Sequence, residues 1–207
     1  ALAGLLLFMA TAGPVVPGAG LPAGVGALAV PPDTILWDNG PWITHPGGGL
    51  GGADASALQS ALGMGTYGFA NQFALGNRLA DDFEIADPTG WRVDRITFFA
   101  YQTDAPTAPS TITGLYYQVW NGPPNDAGSR VVWGDLTTNR LIGSTWTDAY
   151  RTIDTDLHWS NRPVMANRAG AGFVLPPGTY WLDWTTDGSL SSGPWAPPIT
   201  VLGQAST

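Results

Sequence analysis

Two pairs of acidic residues have the spacing that acid/base chemistry would need. Asp154 precedes Asp156 by two positions, and Asp82 precedes Glu84 by two. In extended backbone, side chains two positions apart lie on the same face. Glycoside hydrolysis requires two carboxylates about 5 to 10 Å apart across the sugar bond. Both pairs are therefore candidates for a hydrolase, although an Asp-Thr-Asp run is also typical of a polar strand end.

Acidic side chains in turns could instead bind calcium, which prefers hard oxygen ligands. The candidate calcium ligands are Asp81, Asp82 and Glu84, together with the loop residues Asn125 and Asp126. The Asp-x-Asp-x-Asp-Gly pattern of a calcium-binding loop is absent from the sequence. A structural calcium ion is the one cofactor that the sequence suggests, and turn capping is the alternative role for these residues.

Other catalytic signatures are weak. The two histidines, His45 and His158, are far apart and belong to no short metal-binding pair. No Gly-x-Ser-x-Gly nucleophile motif occurs. Two Gly-x-Gly-x-x-Gly matches, at 47–52 and 63–68, do not follow a strand and open a helix, as a nucleotide-binding loop would. We predict that the protein is not an enzyme.

The tryptophans are the strongest indication of binding. The chain has 10 of them, more than one small core readily buries. Several stand beside Gly, Pro, Asn or Asp, where an indole at a strand end can stack on a sugar or insert into another subunit. For each of them, core packing is the alternative. The candidate contact residues are Trp37, Trp42, Trp120, Trp133, Trp159 and Trp195.

Short β-branched and aromatic segments would position these residues. The 207 residues include 28 Gly and 18 Pro, too many for a helical bundle. Turns are predicted at 87–90, 121–126 and 176–178. The sequence predicts an all-β, antiparallel, two-sheet sandwich of jelly-roll-like type. Its predicted strands are 34–37, 78–85, 91–102, 111–120, 130–136, 141–147, 150–153, 172–175, 179–185 and 199–202.

One short helix is also predicted, at 54–62. Ser56 and Gln59 form a capping-box pattern, and Gly63 is a stop signal. Nine residues are too few for a stable isolated helix, so Leu58 and Leu62 are expected to pack on the sheets. Strand 179–185, in contrast, alternates clearly between two faces: Leu182 lies on a core face, and Trp181 and Asp183 lie on a wet one.

Composition and charge constrain the partners. The 16 acidic residues outnumber the 8 basic ones, and the net charge of −8 disfavours nucleic acid as a partner. Residues 1–12 are apolar, end in Ala-Thr-Ala and are too short for a stable membrane span. We predict a signal-like or apolar N-terminal arm over 1–30, a β-sandwich domain over 31–207, and secretion to the cell surface or the medium.

Four motifs carry a family resemblance: Ala-Asp-Asp-Phe at 80–83, Ile-Thr-Phe-Phe-Ala-Tyr-Gln at 96–102, Val-Trp-Asn-Gly-Pro-Pro at 119–124 and Leu-Pro-Pro-Gly-Thr-Tyr-Trp-Leu-Asp-Trp at 175–184. Together they resemble an uncharacterised family of exported bacterial β-sandwich proteins, over about 34–204. The resemblance implies secretion and a jelly-roll-like sandwich, and it supplies no catalytic residues. It also implies that a C-terminal strand or sorting segment follows.

The sequence thus favours a secreted structural or adhesive module. Its N-terminal arm is predicted to add a strand to a neighbouring copy, which would give a self-assembling, filament-type subunit. Self-association or an extracellular glycan is the expected partner. The alternatives are a carbohydrate-binding module that uses exposed Trp and Tyr, and a glycan-active hydrolase that uses one of the acidic pairs.

Overall fold

The structure is a computed structural model that describes residues 8–12 and 34–201, with the backbone alone for 8–12. In these residues it contains twelve strands and three short 3-10 turns, at Leu50–Gly52, Ser60–Leu62 and Phe73–Leu75. None of the helical turns in the described residues has the length and apolarity needed to cross a membrane. The strands are β1 Phe8–Ala12, β2 Thr34–Asp38, β3 Asp54–Ala57, β4 Phe69–Ala70, β5 Leu79–Ile85, β6 Trp91–Ala100, β7 Ile112–Trp120, β8 Val131–Asp135, β9 Leu141–Thr152, β10 Pro163–Leu175, β11 Gly178–Gly188 and β12 Trp195–Ala196.

The strands form two larger sheets and one small one. The six-stranded sheet has the order β2-β1-β6-β10-β9-β3, the four-stranded sheet has the order β5-β11-β7-β8, and β12 pairs with β4. The main apolar cluster draws side chains from both larger sheets: Ile96, Phe98 and Phe173 come from one sheet, and Leu115 and Leu182 from the other. The prediction of an all-β fold is confirmed, and the core lies between the two larger sheets.

The predicted turns form as expected, because each supplies the backbone geometry that a strand reversal needs. Between β5 and β6, the Asp87 carboxylate accepts hydrogen bonds from the Thr89 amide at 2.8 Å and from the Thr89 hydroxyl at 2.7 Å. These bonds hold the pKa of Asp87 below its usual value. Between β10 and β11, the Tyr180 hydroxyl donates to the Pro176 carbonyl at 3.1 Å.

The predicted helix at 54–62 is wrong. Residues 54–57 form strand β3, which pairs in parallel with β9, and only 60–62 make a short 3-10 turn. Tertiary contacts override the local capping signals here, because Ser56 is completely buried and its carbonyl accepts a hydrogen bond from Arg151. Leu58 is buried as expected, but Leu62 is 46% exposed. Gly63 does end the turn, with φ at 85°.

Several strand boundaries also differ from the predictions. The predicted strands 141–147 and 150–153 are one continuous strand, β9, and the predicted strand 172–175 is the end of the longer β10. Of the predicted strand 199–202, residues 199–201 are not in a strand, and 202 lies outside the described residues. The Thr200 amide donates to the Pro41 carbonyl at 2.8 Å. The prediction of antiparallel sheets holds for every paired strand described except β3, which is parallel to β9.

Strand β1 belongs to the predicted N-terminal arm and lies inside the chain's own sheet. It pairs antiparallel with β2 on one side and with β6 on the other. Met9, for example, stands opposite Asp38 of β2 and Thr97 of β6. The rest of the predicted arm, 1–7 and 13–30, lies outside the described residues. Residues 8–12 thus add a strand to a sheet of the same chain, and the predicted addition to a neighbouring copy stays a prediction.

Candidate binding groove

The outer face of the four-stranded sheet carries a groove of about 520 Å³. Alternation along β11 builds its floor, because Leu182 points into the core while Trp181 and Asp183 point away from it. One wall is formed by the residues just before β5 and by its first two residues. The other wall is formed by the loop after β7. The groove is lined by Gly76, Asn77, Arg78, Leu79, Ala80, Pro123, Pro124, Asn125, Trp181 and Asp183.

Asp183 is the fixed centre of the groove floor, only 2% exposed. Its Oδ2 accepts a hydrogen bond from Gln118 Nε2 at 2.8 Å and another from Trp120 Nε1 at 3.1 Å. Arg78 Nη1 lies 3.5 Å from the same oxygen, and the Arg78 side chain is 47% exposed. A buried carboxylate needs such partners to offset its lost hydration. The network therefore fixes the Trp120 indole and draws a partly exposed cation to the groove.

Register aligns two indoles across this face. Trp181 of β11 stands directly opposite Trp120 of β7, and Asp183 stands opposite Gln118. Directly paired residues on one face have their Cβ atoms about 4.5 to 5.5 Å apart. Both indoles are half-buried. The sheet therefore presents an aromatic pair beside amide, guanidinium and carboxylate groups, a combination that suits a ligand with apolar ring faces and many hydroxyls.

The six predicted tryptophans fall into different environments. Trp42 is a core residue, 8% exposed and 5.2 Å from the Phe99 ring. Trp37 is half-buried against the main core, and its Nε1 donates to Asn39 Oδ1. Trp120 is the only one of the six beside the groove. The remaining three, Trp133, Trp159 and Trp195, lie elsewhere.

Trp133 is covered by its neighbours. Its ring centroid lies 4.6 Å from that of Phe173 and 5.3 Å from that of Tyr117, while the Arg140 guanidinium carbon lies 5.0 Å from it. Arg140 is in turn held by Asp135, whose Oδ2 accepts from Nη2 at 2.7 Å. This hydrogen bond, with others from Thr137 and Thr138, holds the pKa of Asp135 far below its usual value. Trp133 is therefore occupied by contacts within the chain.

The two predicted acidic pairs are arranged differently. Asp82 and Glu84 share the exposed face of β5, as the alternation predicts. Asp154 and Asp156 are also exposed, but residue 154 begins a tight turn closed by pairing of Ile153 with Asp156. Asp156 Oδ1 accepts from the His158 amide at 2.9 Å, a turn-capping bond. The expectation that Asp154 and Asp156 share a strand face is therefore wrong.

The structure does not assemble the predicted calcium ligands. Asp82 and Glu84 lie on the exposed face of β5, whereas Asp81 is buried on the opposite face. Asp81 Oδ2 accepts a hydrogen bond from Asn39 Nδ2 at 2.6 Å. Asp126 Oδ1 accepts one from the Gly128 amide at 3.0 Å. Among the described residues, no three side chains of the types His, Cys, Asp and Glu converge in a way that could hold a metal ion.

Sequence reasoning missed three polar members of the site, although it placed Trp181 and Asp183 on the wet face. Gln118 and Arg78 gave no local signal, because their importance comes from a carboxylate that is distant in sequence. Asn77 was hidden in a stretch without regular pattern; its Nδ2 donates to Gln72 Oε1 at 2.6 Å. Alternation along β7 could have placed Gln118 beside Trp120, on the face opposite Val119.

Comparison with known proteins gives no match: no protein-family model, no curated protein and no solved structure is significantly similar to this chain. The resemblance to exported bacterial β-sandwich proteins therefore stays a prediction. Inferences about function depend on the geometry of the molecule itself.

Proposed function

We propose that the protein is a secreted, non-catalytic adhesive module that binds an extracellular glycan in the groove on its four-stranded sheet. The observation that carries this proposal is the Trp181 and Trp120 pair beside the fixed carboxylate of Asp183. Indoles offer flat apolar surfaces to the ring faces of a sugar, and the polar groups around them can bind hydroxyls. In the same proposal the two larger sheets, which share one core, form a jelly-roll-like sandwich.

The composition of the groove supports binding over hydrolysis. Hydrolysis of a glycosidic bond uses two carboxylates on either side of the bond. Of the described residues that line the groove, Asp183 is the only acidic one. Its Oδ2 is already engaged by Gln118, Trp120 and Arg78. The proposal therefore assigns Asp183 the role of positioning these groups.

Affinity electrophoresis against a panel of soluble neutral polysaccharides tests the proposal. We expect at least one polysaccharide to retard the protein, and Trp181→Ala to abolish most of that retardation. Trp146→Ala is the matched control, because Trp146 is also half-buried but belongs to the other large sheet. If no polysaccharide retards the protein, or if both variants lose retardation equally, the proposal is wrong.

A second candidate function, self-assembly by strand exchange, is favoured by one observation. Among the described strands, β2 pairs only with β1, so β1 alone joins it to the sheet. The two strands are separated in sequence by 21 residues, 13–33. A segment of that length allows residues 8–12 to enter the same position in a second copy. The predicted filament-type subunit would then form by mutual or chain-like exchange.

Disulfide trapping distinguishes exchange from pairing within one chain, because the chain has no cysteine of its own. Met9 and Thr97 are directly paired, at a separation that a disulfide can bridge. A chain with Met9→Cys is mixed with a chain with Thr97→Cys and oxidised. Strand exchange predicts a crosslinked dimer. Its absence, while the double variant closes a disulfide within one chain, would exclude exchange.

A further inference from the structure

A second cleft, separate in lining from the groove, opens beside the small β12-β4 sheet. Its volume is about 290 Å³. Tyr67 and Trp195 supply aromatic walls, with Tyr67 37% exposed and Trp195 half-buried. The polar part of the cleft lining comes from Thr66, Thr103, Ser192 and Arg162. None of these residues is needed for the groove on the four-stranded sheet.

Arg162 is the unusual member of this cleft. Its guanidinium carbon lies 4.2 Å from the centroid of the Tyr67 ring and 4.9 Å from that of the Trp159 ring. Cation–π contact with two rings holds a planar guanidinium in place, and the half-buried Arg162 side chain lines the cleft. Within the described part of the chain, no acidic side chain forms an ion pair with it.

One nitrogen of the Arg162 guanidinium has no hydrogen-bond acceptor among the described residues. This nitrogen, Nη1, is buried. A buried donor without a partner costs about 1 to 3 kcal/mol, so a ligand acceptor that displaces a neighbouring side chain enough to reach Nη1 recovers that energy. A carboxylate fits best, because it accepts two parallel hydrogen bonds from a guanidinium.

The cleft walls are held firmly in place. Arg151 donates to the carbonyls of both Thr66 and Tyr67 at 2.8 Å, and Gly68 follows directly. A side chain at Gly68 would come within 2.9 Å of the Cβ of Trp195. The missing side chain therefore lets the segment that carries Tyr67 approach Trp195 closely. Such preorganisation reduces the entropy lost when a ligand binds.

From this geometry we infer that the cleft binds an acidic sugar, with the carboxylate of a uronic acid residue on Arg162 and its ring against Tyr67 or Trp195. The volume is near the lower end for small-molecule sites and suits one or two sugar rings. The net charge of −8 opposes long polyanions, so the ligand is a short oligomer or a chain end.

Isothermal titration of the full chain tests this inference. The probes are di- and trisaccharides of galacturonate, glucuronate and mannuronate, each compared with its neutral counterpart and with acetate. The ionic strength is set at about 0.15 M, where charges more than about 8 Å apart are screened. We expect at least one acidic oligosaccharide to bind more tightly than its neutral counterpart, and acetate not to compete at equal concentration.

Variants assign the binding to Arg162. Arg162→Gln should weaken binding of the acidic sugar about tenfold or more, because it removes a charge-assisted pair. Arg162→Lys should keep part of the affinity. Arg168→Gln is the control: it changes the net charge equally, at an exposed position on β10. Thermal melts establish that each variant is folded.

Three results would overturn the inference: no preference for any acidic sugar, an equal loss in Arg168→Gln, or full competition by acetate. Trp181→Ala separates this site from the groove. It should leave binding of the acidic sugar unchanged even where it abolishes binding of a neutral polysaccharide. Either site can therefore fail alone, and the experiment identifies which.

Discussion

Replacing Arg151 tests how the fold holds the cleft wall. Arg151 is 2% exposed and donates five hydrogen bonds, four of them to the backbone carbonyls of Ser56, Ala57, Thr66 and Tyr67. Burial lowers the pKa of its guanidinium to about 10. The side chain joins β9 to β3 and to the segment before β4.

The expected cost of Arg151→Met follows from the acceptors that it leaves behind. Each buried carbonyl without a donor costs about 1 to 3 kcal/mol, and removing a desolvated charge returns part of the total. We expect a net loss of about 3 to 5 kcal/mol in the free energy of unfolding. For a chain of this size, that corresponds to a Tm lower by roughly 10 °C.

Urea denaturation with matched variants measures this loss. Arg168→Met is the control, since Arg168 is exposed and its replacement should change stability by less than about 0.5 kcal/mol. Arg151→Lys should fall between the two, because an ammonium offers three donors without the planar fork. A loss below about 1 kcal/mol for Arg151→Met, with an unchanged m-value, would refute the assigned role.

Two further predictions concern the core and a turn. Burial raises the pKa of the Tyr117 hydroxyl above its usual value. The folded state therefore holds this proton more strongly than the unfolded state does. The free energy of unfolding should fall as pH rises above about 10, and it should fall less steeply in Tyr117→Phe. At neutral pH that variant should lose about 1 kcal/mol, because the hydroxyl donates to the Gly170 carbonyl at 2.7 Å; equal alkaline slopes would contradict this account. Gly90→Ala should destabilise by about 3 kcal/mol, because φ is 75° and the new Cβ would lie 2.3 Å from the Leu175 carbonyl oxygen. Gly172→Ala, with φ at 76° and open space around it, should cost only about 1 kcal/mol, and equal losses in chemical denaturation would exclude the steric explanation.

Local sequence patterns predicted those strands and turns whose signal lies within the segment itself. Alternation in β11 separated Leu182 from Trp181 and Asp183, and the turn residues at 87–90 and 176–178 marked real reversals. The helix at 54–62 was mispredicted because its capping signals are local, while the pairing of β3 with β9 depends on residues about 95 positions away. Secondary-structure propensity depends on nearby residues, so it cannot represent a contact between segments so far apart in sequence.

The candidate sites were less predictable for the same reason. A tryptophan beside a turn residue has the same local sequence whether it lies in the core, like Trp42, or beside a groove, like Trp120. The role of Arg162 depends on Tyr67, from a distant segment, and on the absence of a nearby acidic partner in the described structure. Only the folded arrangement brings these groups together.

The most direct test of groove binding is an NMR titration of the indole N–H signals. The ligand is a fragment of a polysaccharide that retards the protein in affinity electrophoresis. The chain has 10 tryptophans, so the spectrum is small enough to assign by substitution. The account predicts that the Trp181 and Trp120 signals shift with the bound fraction, while those of the buried Trp42 and Trp184 stay constant. Shifts confined to other indoles, with Trp181 and Trp120 unchanged at saturation, would contradict it.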